Sequence, residues 1–196
     1  MATGKELDMA TRAASGSELA VTSELARDDS GAQFLTFTLD GEEYGVEILR
    51  VQEIKGWMPV TRVPNTPEYM QGVLNLRGTI VPIIDLRMRF NLDRVEYTPV
   101  TVVIVLTIID GERRRTLGVV VDGVSDVVTV DRGELRPPPD FGDNIQTDFI
   151  EGIATVDEKM VMLLDIDRLL SSEELQDINA STHQAGVEPA LSQTEE

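Results

Sequence analysis

The chain has 196 residues, 41% of them hydrophobic, and a net charge of −18 from 35 acidic against 17 basic side chains. That length can bury a substantial core as one domain or one closely packed pair. The charge opposes phosphate backbones and anionic lipid, the absence of cysteine excludes disulfides and thiolate metal sites, and no apolar run approaches the ~20 residues of a membrane span. Nucleic-acid binding and direct membrane insertion are therefore not expected. The first residues, Met1-Ala2-Thr3-Gly4-Lys5-Glu6, lack the apolar stretch of a secretory signal, which predicts a cytoplasmic protein.

Residues 1–32 are rich in Ala, Ser, Thr and charge, hold no aromatic, and read as a disordered extension. Residues 33–170 hold every Trp, Tyr and Phe, which places the folded domain there. Phe34 to Leu39 is β-prone and ends at Asp40-Gly41, a hairpin signal, after which Glu43 to Val46 returns. Ile48, Val51, Gln52 and Ile54 fit either a short helix or a bent strand. Trp57-Met58-Pro59-Val60 reads as an edge strand, because proline cannot donate to a ladder. Thr79 to Asp85 and Val100 to Ile109 are apolar and β-branched, as buried strands are, and Asp110-Gly111 turns the latter into Thr116 to Val121. Pro137-Pro138-Pro139 forces an extended connector. Ile150 to Val156 and Met160 to Asp165 form a hairpin around Asp157-Glu158, and Arg168 to Ile178 reads as a terminal helix. Residues 176–196 form an acidic tail of disordered composition.

The order of motifs recurs. Glu68-Tyr69-Met70-Gln71-Gly72-Val73 matches Asp148-Phe149-Ile150-Glu151-Gly152-Ile153, and Ile83-Ile84-Asp85-Leu86 matches Leu163-Leu164-Asp165-Ile166. Gly45-Val46 likewise matches Gly118-Val119, and Val51 matches Val124. Glycines and aspartates align as well as apolar residues, which points to a duplicated unit of about five strands. Short antiparallel strands that must hide their edges favour small barrels.

No constellation for catalysis is present. The single histidine, His183, lies in the acidic tail, Ser125 is the only serine between residues 33 and 170, and no phosphate-binding glycine loop occurs. Asp85 and Asp165 end equivalent strands, which suits turn or cap bonding better than acid–base work. No cofactor or metal is expected. In Asn75-Leu76-Arg77-Gly78, Asn and Gly are ordinary hairpin chemistry. Arg77 needs a further reason. Its planar five-donor fork suits either an internal salt bridge or the carboxylates and carbonyls of a partner, and both readings stand.

Glu43-Tyr44-Gly45-Val46, Val51-Gln52-Glu53-Ile54, Asn65-Thr66-Pro67 and the run from Gly72 through Asn75-Leu76-Arg77-Gly78 to Ile84-Asp85-Leu86 resemble the CheW family of chemotaxis coupling proteins. Gly118 to Val127, Leu135-Arg136-Pro137 and Met162 to Ile166 extend the resemblance over residues 33–175. It implies an all-β fold of two SH3-like five-stranded barrels, roughly 33–86 and 100–166 with strand exchange possible, plus short helices and a C-terminal helix. It further implies a non-catalytic adaptor at receptor arrays on the inner face of the membrane. The partners would be the regulatory domain of the histidine kinase CheA and the cytoplasmic tip of methyl-accepting chemotaxis receptors. An adaptor of a related pathway for surface motility or second-messenger output is the alternative. By motif, Ile48, Val51 and Glu53 would face the kinase, and Gly72, Arg77, Ile80, Val102, Gly118 and Val127 the receptor. A copy of the domain fused to a receiver or embedded in a kinase is not expected, since the tails leave no room for the further ~120 residues of a receiver.

Overall fold

Apolar, β-branched stretches punctuated by two-residue turns produce ten strands among the described residues. The computed structural model describes residues 31–138, 148–171 and 174. The strands are β1 (Ala32–Leu39), β2 (Glu42–Glu47), β3 (Val51–Gly56), β4 (Met70–Leu76), β5 (Thr79–Asp85), β6 (Val102–Asp110), β7 (Arg113–Val121), β8 (Gly123–Val130), β9 (Ile150–Val156) and β10 (Lys159–Leu164). One turn of helix, α1 (Leu86–Arg89), follows β5. The turns Asp40-Gly41, Arg77-Gly78 and Asp157-Glu158 each carry two positive φ angles, the geometry that matches the twist of paired strands. The segment read as helix or bent strand is both: a 3-10 turn over Ile48–Arg50, then β3.

β1–β5 and β6–β10 are the two copies of the repeat, yet neither copy forms a sheet by itself. One five-stranded sheet runs β8-β1-β2-β10-β9 and the other β3-β6-β7-β5-β4. Replacing each strand by its counterpart five places along converts one order into the other. Each barrel therefore takes two strands from one copy and three from the other. The sequence halves 33–86 and 100–166 mark the copies, not the barrels. The exchange runs through two parallel pairings, β10 with β2 and β5 with β7, which set Leu163 beside Gly45 and Ile83 beside Gly118. A Cβ on either glycine would meet the tip of the facing side chain, which would have to move out of the close strand contact.

Each barrel is closed by the chain that leaves its edge strand. After β3, Thr61 pairs with Val73 of β4 through N–H···O bonds of 3.0 and 2.8 Å. After β8, Arg136 pairs with Ile153 of β9 through bonds of 3.0 and 2.8 Å. The Trp57–Val60 segment, expected as an edge strand, joins no ladder. Trp57 donates one bond to Thr101 O (2.9 Å), and Pro59 has no N–H to offer.

Alternation along the strands divides the apolar residues among three cores. Leu74, Val81, Ile83, Val103, Val105 and Val120 fill one barrel, and Phe34, Val130, Ala154, Val161 and Leu163 fill the other. The opposite faces of the same strands, with Leu35, Phe37, Ile84, Ile104, Leu106, Val119 and Leu164, form a larger shared core between the barrels. Strands buried on both faces read as unbroken apolar runs, which is why β6 lacks a period-two pattern. The turns are braced across the copies. Arg87, 8% exposed, lies 2.8 Å from Asp40 and 3.4 Å from Asp122, and Arg50 lies 2.6 Å from Asp167.

Of the terminal helix read over Arg168–Ile178, residues 168–170 form bends and Glu174 is helical. Residues 172, 173 and 175–178 lie outside the described residues, as do most of residues 1–32 and all of 176–196. Ser171 and Glu174 make a reciprocal capping pair: Ser171 N donates to Glu174 Oε2 (2.8 Å) and Glu174 N to Ser171 Oγ (3.1 Å). Partial burial pushes the Glu174 carboxyl up, but bonds from Tyr69 and Ser171 and the nearby Arg89 charge outweigh it and hold the carboxyl below its ordinary value.

The duplicated closures give a paired test. At Gly72, φ is +143° and an added Cβ would meet the Thr61 backbone. At Gly152, φ is ordinary and the Cβ would sit 3.1 Å from Arg136 O. Gly72→Ala is expected to cost about 2–3 kcal/mol and Gly152→Ala about 1 kcal/mol or less, from overpacking and strain. Equal losses in chemical denaturation would show that closure strain is not what Gly72 relieves.

Candidate functional site

The β4–β5 turn is an exposed position that holds a large charged side chain in a left-handed backbone, as Glu158 also is in the second copy. Asn75 Oδ1 accepts from Gly78 N at 2.8 Å and holds the turn closed. Arg77 then occupies the first turn position at φ 52°, with its side chain 86% exposed. A left-handed conformation costs a residue with a Cβ about 1–2 kcal/mol, which Gly would avoid. The guanidinium reaches Glu53 Oε2 at 3.6 Å, and Glu53 also lies 3.5 Å from Lys55. An ion pair this exposed adds little stability. Local energetics therefore give no reason for arginine here. Its fork stands at the hairpin tip, free to meet an incoming carboxylate or carbonyl.

The Arg77–Glu53 contact joins one residue of the receptor set to one of the kinase set. Around it, Ile80 is 37% exposed on β5. On β3, alternation turns Val51, Glu53 and Lys55 half inward and Gln52 and Ile54 outward. Ile48 and Val51 pack against the shared core. The outward apolar residues of this segment are Leu49, 85% exposed, and Ile54, 44% exposed. Sequence alone did not single them out, because Val51 and Ile54 are both apolar and the phase of a strand leaving a 3-10 turn is not written in hydrophobicity.

Gly72 and Gly118 are buried, and their roles are the close strand approaches described above. They shape the surface from beneath and cannot themselves offer a side-chain contact. Val102 is half-buried against the shared core, and Val127 is 44% exposed on β8, in the other barrel.

Asp85 and Asp165 do cap turns. Asp85 accepts from Arg87 N (2.8 Å), Met88 N (3.3 Å) and the Tyr97 hydroxyl (2.7 Å), and Asp165 accepts from Asp167 N (3.1 Å). Burial, then the bond to Asp85, push the Tyr97 phenol above its ordinary value. Among the described residues no cluster of His, Asp or Glu has the makings of a metal site, and no helix is long and apolar enough to cross a membrane.

Comparison with known proteins agrees with this geometry. The family model described as a CheW-like domain matches residues 33–174. The chain is 50% identical over 157 residues to the chemotaxis protein CheW of Klebsiella aerogenes, covering 80% of this chain and 92% of that one. It is 35% identical over 148 residues to the chemotaxis protein CheW of Bacillus subtilis, covering 75% and 92%. The crystal structure of the scaffolding protein TtCheW from Thermoanaerobacter tengcongensis superposes with a TM-score of 0.65 at 33% identity, covering 74% of this chain and 90% of that one.

Two substitutions separate packing from display. Arg77→Gly is expected to leave stability within about 1 kcal/mol of the parent or raise it, since relief of the left-handed strain offsets the entropy of glycine. Val51→Asp is expected to lose about 1–3 kcal/mol by placing a charge against the shared core, while Ile54→Asp stays within about 0.5 kcal/mol. Urea melts decide. A stable Val51→Asp protein would return Val51 to the exposed surface.

Proposed function

The chain belongs to the CheW family of chemotaxis scaffold proteins, which are non-catalytic, and on that premise we propose that it couples methyl-accepting chemotaxis receptors to the histidine kinase CheA. It does so in the cytoplasm, at receptor arrays on the inner face of the membrane. The working unit is the domain of residues 33–175.

The observation that carries this reading is the display of Arg77: a strained, largely exposed arginine at a hairpin tip, beside an exposed isoleucine. Two forked donors at the end of a stiff turn suit the carboxylates and terminal carbonyls of a helical hairpin such as a receptor tip. Arg77 and Ile80 make the receptor contact, with Val102 and Val127 at its margins and Gly72 and Gly118 setting strand spacing below. The kinase contact lies on the neighbouring β3 segment. Glu53 is its polar member, Leu49 and Ile54 are its exposed apolar members, and Ile48 and Val51 support them from the core side. An apolar pair rimmed by charge suits the docking of another β-barrel. Because Glu53 reaches Arg77, the two surfaces adjoin, so one scaffold holds both partners in a fixed relation.

Separate titrations of a receptor cytoplasmic fragment and of the CheA regulatory domain test the assignment. Arg77→Ala is expected to lose about 1–3 kcal/mol toward receptor and to keep CheA affinity. Arg77→Lys, which keeps charge but loses the fork, is expected to fall between. Equal weakening toward both partners together with a lowered melting temperature would make Arg77 an internal brace and defeat the direct-contact role.

A further inference from the structure

The chain has twice as many acids as bases, and most of the described arginines lie within 4.0 Å of a carboxylate. Among the described residues five do not, Arg62, Arg94, Arg113, Arg114 and Arg136, and of these Arg62 and Arg94 stand together. Both line one cavity of about 290 Å³, together with Asn65, Thr66, Glu68 and Gln71. Both also act electrostatically on the Tyr97 phenol, which places two guanidinium charges at the same corner of the molecule. Two like charges repel each other, and no carboxylate among the described residues lies within 4.0 Å of either, although Glu68 lines the same cavity.

The duplication provides an internal control for what the fold itself needs. Thr61 and Arg136 occupy the same closure position, opposite Val73 and Ile153. The residue after each is Arg62 in one copy and Pro137 in the other. Gln71 likewise matches Glu151, which is engaged by Arg132 at 2.6 Å. Arg94 lies between α1 and β6, in the connector that joins the copies. The barrel closes equally well in the second copy without an arginine after the bridge. Closure therefore does not explain Arg62, and no ion pair among the described residues explains Arg94.

We propose that this corner is a binding site for a small dianion, one whose phosphate oxygens or paired carboxylates accept the forks of Arg62 and Arg94. Planar guanidinium groups bond such oxyanions two bonds at a time, and two of them match two negative charges. The Asn65 and Gln71 side-chain amides line the same cavity and can add N–H donors, whereas the Thr66 hydroxyl there is already committed to Val63 O at 3.0 Å. Glu68 lines the same cavity, and its carboxylate opposes any anion there, a repulsion the two guanidinium groups must outweigh. The site is separate from the Arg77 turn and does not depend on the coupling role.

Titration of the full-length, nitrogen-15-labelled chain by NMR at fixed ionic strength tests it, with inorganic phosphate, succinate and acetate as probes. Phosphate or succinate is expected to give saturable shifts confined to residues 62–71 and 94–97, with acetate at least about tenfold weaker. Saturation by phosphate alone assigns a phosphate ester, by succinate alone a dicarboxylate, and by both the shared dianion class. The double variant Arg62→Gln, Arg94→Gln is expected to weaken binding at least about tenfold. Arg94→Lys should fall between it and the parent. Arg113→Gln, at an exposed arginine on β7, should change nothing. Melting curves confirm that each variant is folded. Shifts that fail to saturate, that acetate reproduces, or that survive in the double variant would overturn the site.

Discussion

The parallel pairing of strands from different halves of the chain is the constraint on which the rest of the structure depends. β10 lies against β2 and β5 against β7, and at each contact a glycine leaves room for the side chain of the neighbouring strand, Leu163 or Ile83. These pairings exchange strands between the two repeats. Neither repeat can complete a barrel until the other is in place, so the barrels form as a pair. The shared core follows, because strands that line a barrel on one face are pressed against the second barrel on the other. Two-sided burial of this kind gives a chain of modest size a large apolar interior, and it fixes strand register from both sides.

That rigidity is what a scaffold needs. The β4–β5 turn projects from strands whose own positions are set by the exchange, and closure at Thr61 and Val73 pins β4 from its open side. A flexible loop with the same sequence would lose conformational entropy on meeting a partner, whereas a turn already fixed in its left-handed geometry loses little. The strain at Arg77 is tolerated because the surrounding ladder over-determines the backbone. The result is a cation and an apolar strip at fixed spacing, next to a second surface on β3.

Much of this was legible in the sequence. The matched glycines and aspartates of the two repeats exposed the duplication; Asp40-Gly41 and Asp157-Glu158 marked hairpin turns at their true positions, while Asp110-Gly111 falls one residue before the Gly111-Glu112 turn. The exchange was not legible, since hydrophobic pattern reports that a strand is buried but not which strand it pairs with. The Trp57–Val60 segment failed as a strand for a related reason: its neighbours could not be known, and its residues serve as the approach to a single bridge at Thr61. At the site, Arg77 stood out because turn chemistry already explained Asn75 and Gly78. Gly72 and Gly118 were read as contact residues, although their burial gives them a packing role. Leu49 and Ile54 were hidden because the 3-10 turn resets the phase of β3. The Arg62–Arg94 corner emerges only when the connector between the copies is folded back beside the first closure.

The central claim is that strand exchange makes the two barrels one cooperative unit. Native-state hydrogen exchange at increasing denaturant measures this directly, by following amides of Val103 and Val105 in one barrel and Val161 and Leu163 in the other. The account predicts that all four merge into one isotherm at the global unfolding free energy, since opening either barrel removes strands from both. A lower-energy isotherm for one barrel alone, with the other still protected, would contradict it.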